Sequence, residues 1–298
     1  MPKVIAVAGK GGTGKTTFCG MLVKYLANSK KGHILAVDAD PNSNLNEVLG
    51  VSAPTTLGEI REGMMDRGSG TELPAGMTKQ DYMEFMFGDA LFEDERYDLL
   101  VMGRTQGAGC YCYVNGVLRT QIDRYSGVYS YIIVDNEAGL EHISRGTLPK
   151  VDVLLLISDC SRRGIQAAGR VAALVEDLKI KPKTLKLIVN RAPGSGGVGG
   201  GVDGGGAGGA GGGGAGGVDG GGAGGADGGG AGGGVGGGGG LSRGILDEIE
   251  AQHLDLLGVL PQDEAVYHYD SEGLPSADVP DESPVKVALK QILEELGL

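Results

Sequence analysis

Six short apolar runs rich in β-branched residues recur along the chain, and stretches with helical spacing separate several of them. In two of those stretches, residues 16–31 and 163–180, apolar positions return every three or four residues. The apolar runs have the length and composition of strands that are buried on both faces. They are residues 4–8, 34–38, 99–103, 131–135, 153–158 and 185–190. This alternation predicts an α/β fold in which helices flank a doubly wound, mostly parallel sheet.

The C-terminal residues 283–298 predict a closing amphipathic helix. Ser283 is a candidate N-cap, and Pro284 stands at the first helical position, where proline is favoured. In a doubly wound sheet, ligands bind beyond the carboxyl ends of the strands. We therefore look for chemistry in the residues that directly follow each apolar run.

Residues 194–240 interrupt the pattern with little besides Gly, Ala, Val and Asp. Residues 202–217 return at 218–233 with a single difference, so the segment is a short tandem repeat. Ordering so much glycine costs more entropy than its side chains can offset, and we predict a disordered surface loop. The alternative is a calcium-binding glycine and aspartate repeat, but the periodic large apolar residue of such solenoids is missing.

Net charge and hydropathy limit the classes of binding partner that this protein can have. The formal net charge is −12 and the pI is about 4.8, which argues against a nucleic-acid surface and against a polybasic membrane anchor. The N-terminal apolar run of about five residues is too short for a signal peptide, and no stretch approaches the roughly 20 apolar residues of a membrane span. We expect a cytoplasmic protein, in which free or metal-bound thiols are more common than disulfides.

The segment GKGGTGKTT, residues 9–17, follows the first apolar run and opens a helical stretch. It matches the phosphate-binding pattern G-x-x-x-x-G-K-[ST] in the context that gives that pattern meaning. Lys15 is expected to reach the β- and γ-phosphates of ATP, and the Thr16 hydroxyl is expected to bind Mg²⁺. The sequence thus predicts one P-loop ATPase domain over residues 1–298. The nucleotide-binding residues predicted here are Gly11, Gly12, Thr13, Gly14, Lys15, Thr16 and Thr17.

A second lysine, Lys10, follows the first glycine of the loop. A side chain at this place points away from the phosphates that its own loop holds, and toward a facing subunit. The KGGTGKT form resembles the deviant Walker A motif of the MinD, Mrp and nitrogenase iron-protein class of dimeric ATPases. The resemblance implies a homodimer that sandwiches ATP or ADP, with Lys10 crossing the interface and acting in catalysis together with Lys15.

Two further segments resemble the switches of that class. In VDADPNSNL, the resemblance implies that Asp40 orients the attacking water as a catalytic residue and that Asp38 lies near the magnesium shell. In YIIVDNEAGLEH, Asp135 resembles the Walker B carboxylate that holds Mg²⁺ through water, and Gly139 gives switch II its flexibility. Without the resemblance, an acid at a strand end is also an ordinary helix N-cap.

The segments LIVNRAP and GVLPQDEAV resemble the two that hold the adenine ring in this class. By that resemblance the adenine contacts come from Asn190 and Arg191 in the first segment. Pro261, Gln262 and Asp263 supply those of the second, through backbone as much as side chain.

The segment GAGCYCYVN places Cys110 and Cys112 one residue apart, after a predicted strand and on the expected ligand face. Two thiolates on one loop cannot complete a four-coordinate nickel or zinc site, but two copies across a dimer axis supply four. The alternative is a pair of small core residues or one reactive thiol. Cys19 and Cys160 lie in other elements and are interpreted as packing residues.

Taken together, these motifs resemble the CooC-type nickel-insertion ATPases of carbon monoxide dehydrogenase maturation, over nearly the whole chain apart from the glycine repeat. The resemblance implies a Mg²⁺-dependent ATPase that carries Ni²⁺ or Zn²⁺ and has carbon monoxide dehydrogenase as its client. His142, in switch II, is a candidate supplementary ligand or structural sensor.

Two alternatives remain open. An iron–sulfur reductase of the nitrogenase type requires a cysteine in switch II, and NEAGLEH has none. A MinD-like positioning ATPase requires a membrane-binding helix or a basic DNA-binding face, whereas the C-terminal helix carries both signs of charge.

Overall fold

The structure is a computed structural model. It describes residues 2–42, 44–52, 55–66, 76–104, 127–137, 151–193 and 240–298. Several of the predictions above fall outside these ranges. They concern Cys110, Cys112, Gly139, His142 and the glycine repeat at 194–239.

The described residues form an eight-stranded sheet in the order β3-β4-β2-β5-β1-β6-β7-β8. Neighbouring strands run parallel, except that β3 pairs with β4 in the antiparallel sense. The strands are β1 (Lys3–Gly9), β2 (Ile34–Asp38), β3 (Leu91–Glu93), β4 (Tyr97–Val101), β5 (Tyr131–Asp135), β6 (Val153–Asp159), β7 (Thr184–Ala192) and β8 (Leu256–Pro261).

Helices connect the strands along the chain. They are α1 (Lys15–Asn28), α2 (Leu45–Leu49), α3 (Leu57–Asp66), α4 (Lys79–Ala90), α5 (Arg162–Asp177), α6 (Arg243–Ala251), α7 (Glu264–Ser271) and α8 (Pro284–Glu295), with a short 3-10 helix at Ser276–Asp278.

The alternation of side chains along the strands produces a core on each face of the sheet. In β1, Val4, Ala6 and Ala8 pack on the face that α5 and α6 cover. Ile5 and Val7 pack on the opposite face, against α1 and α8. Helices therefore cover both faces, and the prediction of a doubly wound, mostly parallel α/β sheet is confirmed.

The six predicted strands are all present, although one is displaced. The run predicted at 99–103 forms a strand at Tyr97–Val101, because Gly103 has a φ of 66° and turns the chain out of the sheet. The two outermost strands, β3 and β8, were not predicted. β3 has only three residues, and the register of β8 against β7 shifts twice.

The C-terminal helix begins where the sequence predicts, with Ser283 at the N-cap and Pro284 next. Its capping chemistry differs from the expectation, because the buried Ser283 hydroxyl has no hydrogen-bond partner among the residues that the structure describes. The Val285 N–H donates instead to Asp263 Oδ2 at 3.0 Å. A carboxylate from the end of β8 therefore does the work expected of the serine.

Candidate nucleotide-binding site

The phosphate loop, residues 10–14, joins the end of β1 to the start of α1 at the carboxyl edge of the sheet. Two of the glycines around it are required by the geometry. Gly9 and Gly14 have φ values of 149° and 89°, and a Cβ atom at either would collide, with the Ile157 carbonyl or with the Asn190 amide. The loop therefore packs too closely against β6 and β7 to carry side chains at these places.

The loop closes on the carbonyl of Lys10. That oxygen accepts hydrogen bonds from Thr13 Oγ1 at 2.9 Å and from Lys15 Nζ at 3.4 Å. Lys15 is buried, so its ammonium lies inside the loop. Helix α1 has Gly14 at its N-cap position and therefore no side-chain cap, and no acidic residue lies in its first turn. Uncapped N–H groups and a buried cation at a helix start make a ready site for an anion.

Asp38 and Asp135 end neighbouring strands and lie directly opposite each other in the register of β2 and β5. Both are fully buried. Burial, and then the charge of Asp135, raises the pKa of Asp38 to about 7. Its two oxygens accept hydrogen bonds from the Asp40 and Leu45 N–H groups, at 3.1 and 3.0 Å. The carboxylate thus fixes both ends of the Asp38–Leu45 turn.

Asp135 is the least satisfied of these acids. Neither of its carboxylate oxygens has a hydrogen bond of normal geometry among the described residues, although the Thr16 hydroxyl and the Cys19 thiol lie close enough to act on it as weak donors. Burial raises its pKa to about 6, and nearby Thr16 and Lys15 oppose that rise. A buried carboxylate without a partner is unfavourable unless a bound cation balances its charge. The residues present fit Mg²⁺.

The described protein supplies only part of such a shell, since no three of its His, Cys, Asp or Glu side chains come together in a group able to hold a metal ion. Mg²⁺ is commonly bound through one or two carboxylates and the phosphates of a nucleotide. The donor set of Thr16, Asp38 and Asp135 suits an ion that arrives with its nucleotide.

Asp40 lies beside this pair, half-buried, and its charge adds to the rise in the pKa of Asp135. Its Oδ1 accepts a hydrogen bond from the Asn42 N–H at 2.8 Å. The structure therefore places all three predicted acids beside the phosphate loop, although they do not converge into one metal-binding group.

Next to the loop lies a cleft of about 810 Å³ between the ends of β7 and β8. Asn190 and Arg191 line it, and each also bonds to the phosphate loop. Asn190 Nδ2 donates to the Thr13 carbonyl at 2.8 Å, and an Arg191 guanidinium N–H donates to the Gly12 carbonyl at 3.1 Å. The end of β7 therefore holds the outer side of the loop in place.

Pro261, Gln262 and Asp263 line the same cleft, together with Gly14 and Thr17. The Gln262 N–H donates to the Ala192 carbonyl at 2.7 Å, and this hydrogen bond joins the ends of β7 and β8 at the wall of the cleft. The Asp263 carboxylate is engaged, because it accepts from the Ala265 N–H as well as from Val285. The volume is in the range of small-molecule sites, and it leads to the phosphate loop.

Sequence reasoning missed some residues of this region. Asn136 is buried beside Asp135, where its Nδ2 donates to the Val7 carbonyl at 2.9 Å and its Oδ1 has no partner among the described residues. Tyr267 and His268, on α7, form the far wall of the cleft. A polar residue directly after the buried strand was a signal for Asn136, whereas nothing local marked the two aromatic residues.

The two described cysteines are packed as predicted, but each also touches the site. Cys19 is fully buried, and desolvation and the Asp135 charge raise the pKa of its thiol well above the usual value. The Cys160 thiol donates to the Asn190 carbonyl at 3.7 Å. Burial and the Asp159 charge also raise the pKa of the Cys160 thiol, so both thiols are poor nucleophiles, in keeping with packing roles.

Comparison with known proteins extends this description. The profile of the AAA domain family matches residues 2–187. The chain belongs to that family. This AAA domain protein is 48% identical over 188 residues to an uncharacterised ATP-binding protein of Methanocaldococcus jannaschii, an alignment that covers 63% of this chain and 74% of the relative.

The resemblance to CooC-type proteins is also confirmed. This AAA domain protein is 33% identical over 191 residues to the carbon monoxide dehydrogenase accessory protein CooC of Rhodospirillum rubrum, covering 59% of this chain and 70% of the relative. Its fold matches that of the cell division ATPase MinD from Pyrococcus furiosus, with a TM-score of 0.62 and 20% identity over 100% of this chain and 99% of the other. A ParA family ATPase from Chlorobium tepidum gives a TM-score of 0.64 and 20% identity over 98% of each chain.

The structural likenesses establish the P-loop NTPase fold. The family match and the ATP-binding relative support ATPase activity. Among the described residues there is no helix with both the length and the apolar character needed to cross a bilayer.

Proposed function

We propose that this protein is a Mg²⁺-dependent ATPase that works as a nucleotide-dependent homodimer and delivers nickel to carbon monoxide dehydrogenase. The observation that carries the ATPase part is the buried Asp135 carboxylate beside Lys15 and Thr16, which has no hydrogen bond of normal geometry among the described residues. That arrangement is costly in the empty protein and favourable once a cation and phosphates are present.

In this proposal each residue of the loop has a task. The N–H groups of Gly11, Gly12, Thr13, Gly14 and Thr17 and the ammonium of Lys15 bind the phosphates. Asn190, Arg191 and residues 261–263 shape the cleft for the base, with Asp263 contributing backbone because its carboxylate caps two helices.

Hydrolysis requires an ordered water and a stabilised leaving group. Asp40 orients the water, and Thr16, Asp38 and Asp135 hold Mg²⁺, which neutralises charge that develops on the phosphates. Lys10 has an exposed side chain on the open side of the loop, and in the proposed dimer it reaches the nucleotide of the partner. Two copies of the chain therefore complete each catalytic site.

The nickel part rests on two supports of a different kind. One is the 33% identity to the accessory protein CooC of Rhodospirillum rubrum. The other is the Cys110-x-Cys112 pair, whose two copies in a dimer would supply four soft donors, a set that suits nickel or zinc. Nickel is the cargo here, and the nucleotide state of the dimer controls its release.

The test is anaerobic equilibrium dialysis against Ni²⁺ combined with light scattering, with and without a non-hydrolysable ATP analogue. We expect one nickel per two chains, lost in the Cys110→Ala, Cys112→Ala protein and retained in a Cys19→Ala, Cys160→Ala control. Nickel binding that survives loss of the pair contradicts the cargo site. A protein that stays monomeric with the analogue contradicts the dimer.

A second candidate, a MinD-like positioning switch without cargo, is favoured by the likeness to MinD over the whole chain. It predicts a nucleotide-dependent dimer that binds no nickel but pellets with liposomes or DNA in the presence of ATP. The same dialysis therefore separates the two candidates, and pelleting decides in favour of the second.

A further inference from the structure

Two arginines flank β4 and make nearly the same hydrogen bond. Arg96 precedes the strand and donates to Asn28 Oδ1 at 2.7 Å. Arg104 follows it and donates to Asn42 Oδ1 at 2.6 Å. Both pairs are exposed to solvent, so they differ mainly in the structural element that contains the asparagine. Asn28 ends helix α1, whereas Asn42 lies in the Asp38–Leu45 turn that carries Asp40.

In the described residues of that turn, the acids Asp38 and Asp40 accept the backbone hydrogen bonds. Asp38 accepts from the N–H groups at both ends of the turn, those of Asp40 and Leu45. Asn42 donates its N–H to Asp40 Oδ1 and accepts the Arg104 guanidinium at its own Oδ1. Asn42 is therefore the residue through which Arg104 is connected to the Asp40 carboxylate. Asn42 is bonded to Asp40 through its backbone N–H and to Arg104 through its side chain, so a shift of Asn42 moves Asp40.

The backbone of Arg104 is well anchored. Gly58, at the start of α3, approaches the Arg104 carbonyl so closely that a Cβ atom would collide with it, and its N–H donates to the Met102 carbonyl at 2.9 Å. Gly103 packs against Thr56 in the same way. The arginine therefore reaches the turn from a fixed base on the sheet, and a guanidinium keeps its charge and its donors at any working pH.

We propose that Arg104 is a positioning residue for hydrolysis, which holds the Asp38–Leu45 turn through Asn42 and so keeps Asp40 aimed at the attacking water. The inference rests on the proposed ATPase function. Arg104 touches neither of the predicted magnesium carboxylates nor the phosphate loop in any described hydrogen bond, so it acts through the turn.

The test measures ATP hydrolysis by Arg104→Ala, Arg104→Lys, Asn42→Ala and the double variant Arg104→Ala, Asn42→Ala. Arg96→Ala is the matched control. We expect kcat for ATP hydrolysis to fall roughly tenfold in Arg104→Ala, the rate equivalent of about 1.4 kcal/mol, while KM for ATP changes less than about threefold. Asn42→Ala should lower kcat equally, and the double variant no further. Arg104→Lys keeps a donor and should recover most of the rate, and Arg96→Ala should leave it unchanged.

A second readout does not depend on activity. Amide hydrogen exchange of a peptide covering residues 38–45, measured without nucleotide, should be faster in Arg104→Ala than in the parent and unchanged in Arg96→Ala. Unchanged kcat and unchanged exchange in Arg104→Ala overturn the inference. Equal losses in Arg104→Ala and Arg96→Ala overturn it too, since they indicate general destabilisation. If the parent has no ATPase activity, the proposed function fails, and exchange alone decides whether Arg104 positions the turn.

Discussion

Buried acids are paired with side-chain donors at one edge of the sheet, whereas at the other edge two of them lie opposite each other. The amino edge is the one where the parallel strands begin, and the carboxyl edge is the one where they end. At the amino edge, Asp98 is buried at the start of β4 and accepts a hydrogen bond from the Tyr129 hydroxyl at 2.6 Å. His33 Nε2 lies 3.0 Å from its other oxygen and the imidazole stacks on Tyr129. Asp152, just before β6, accepts from the Val4 N–H at 3.0 Å and pairs with Lys183 at 2.9 Å.

At the carboxyl edge, Asp38 and Asp135 are buried even more deeply, and they lie opposite each other in neighbouring strands. Burial and mutual repulsion raise the pKa of Asp38, and Asp135 has no hydrogen-bond partner among the described residues. One edge therefore stabilises the fold, and the other keeps unfavourable charges that a cation and a nucleotide can satisfy. Local rules of stability fail where a ligand is expected to complete the structure.

The largest effect is expected from breaking the amino edge. Asp98→Ala should lower the free energy of unfolding by about 3 kcal/mol, because it removes the buried carboxylate that accepts the Tyr129 hydroxyl and contacts His33 Nε2. Urea unfolding measures the loss. Asp98→Asn, which keeps an acceptor for Tyr129, is the milder control. Nucleotide affinity should be unchanged in both, and a loss of affinity without a loss of stability would contradict the division between the edges.

The carboxyl edge should respond with the opposite sign. Asp135→Asn removes a charge whose pKa is raised to about 6, so at pH 8 we expect the empty protein to gain about 2 kcal/mol. Because the folded pKa is raised above the ordinary value of 3.8, the cost to stability is small at pH 4, grows up to about pH 6 and is complete above about pH 7. The gain should follow the same window, while ATP hydrolysis is lost.

Thermal unfolding of Asp135→Asn and the parent at pH 4 and pH 8 measures that difference. Asp98→Asn is the matched control, since it neutralises a buried carboxylate that has partners and should not gain stability at pH 8. A destabilised Asp135→Asn protein at pH 8 would show that the unpartnered carboxylate is not a cost to the fold.

Much of the carboxyl edge was predictable because its signals are local. The phosphate loop, Asp38, Asp40 and Asp135 each follow an apolar run directly, and parallel strands bring their carboxyl ends to one edge. The strands themselves were predictable for the same reason, since their β-branched runs are continuous.

The amino edge was not predictable, because its contacts join distant positions. His33 and Asp98 are 65 residues apart, and Asp98 and Tyr129 are 31 apart. No spacing or motif connects them, so only the assembled sheet reveals the cluster. The short strand β3 was not predicted for another reason, because three residues show too little periodicity to distinguish a strand from a loop.

Asp263 sharpens the comparison because it lies at the carboxyl edge but behaves like an acid of the amino edge. Its carboxylate caps the starts of α7 and α8. We expect Asp263→Ala to cost about 1 kcal/mol, the usual size of a lost cap, and to change nucleotide affinity less than about threefold. Calorimetric titration with ADP and urea unfolding measure the two effects, and Ser283→Ala, whose hydroxyl caps nothing, is the neutral control. A large loss of affinity with little loss of stability would move Asp263 into the binding site.

The smallest effect is expected where a partner at the amino edge is itself exposed. Lys183 pairs with Asp152, but the lysine side chain is 67% exposed, so solvent screens the pair. Lys183→Ala should lower the free energy of unfolding by at most about 0.5 kcal/mol, since Asp152 keeps the Val4 N–H as its buried donor. Urea unfolding at low and high salt measures the change, and the small loss should shrink further as salt rises. A loss as large as that of Asp98→Ala would mean that the amino edge depends on its surface charges rather than on its buried hydrogen bonds.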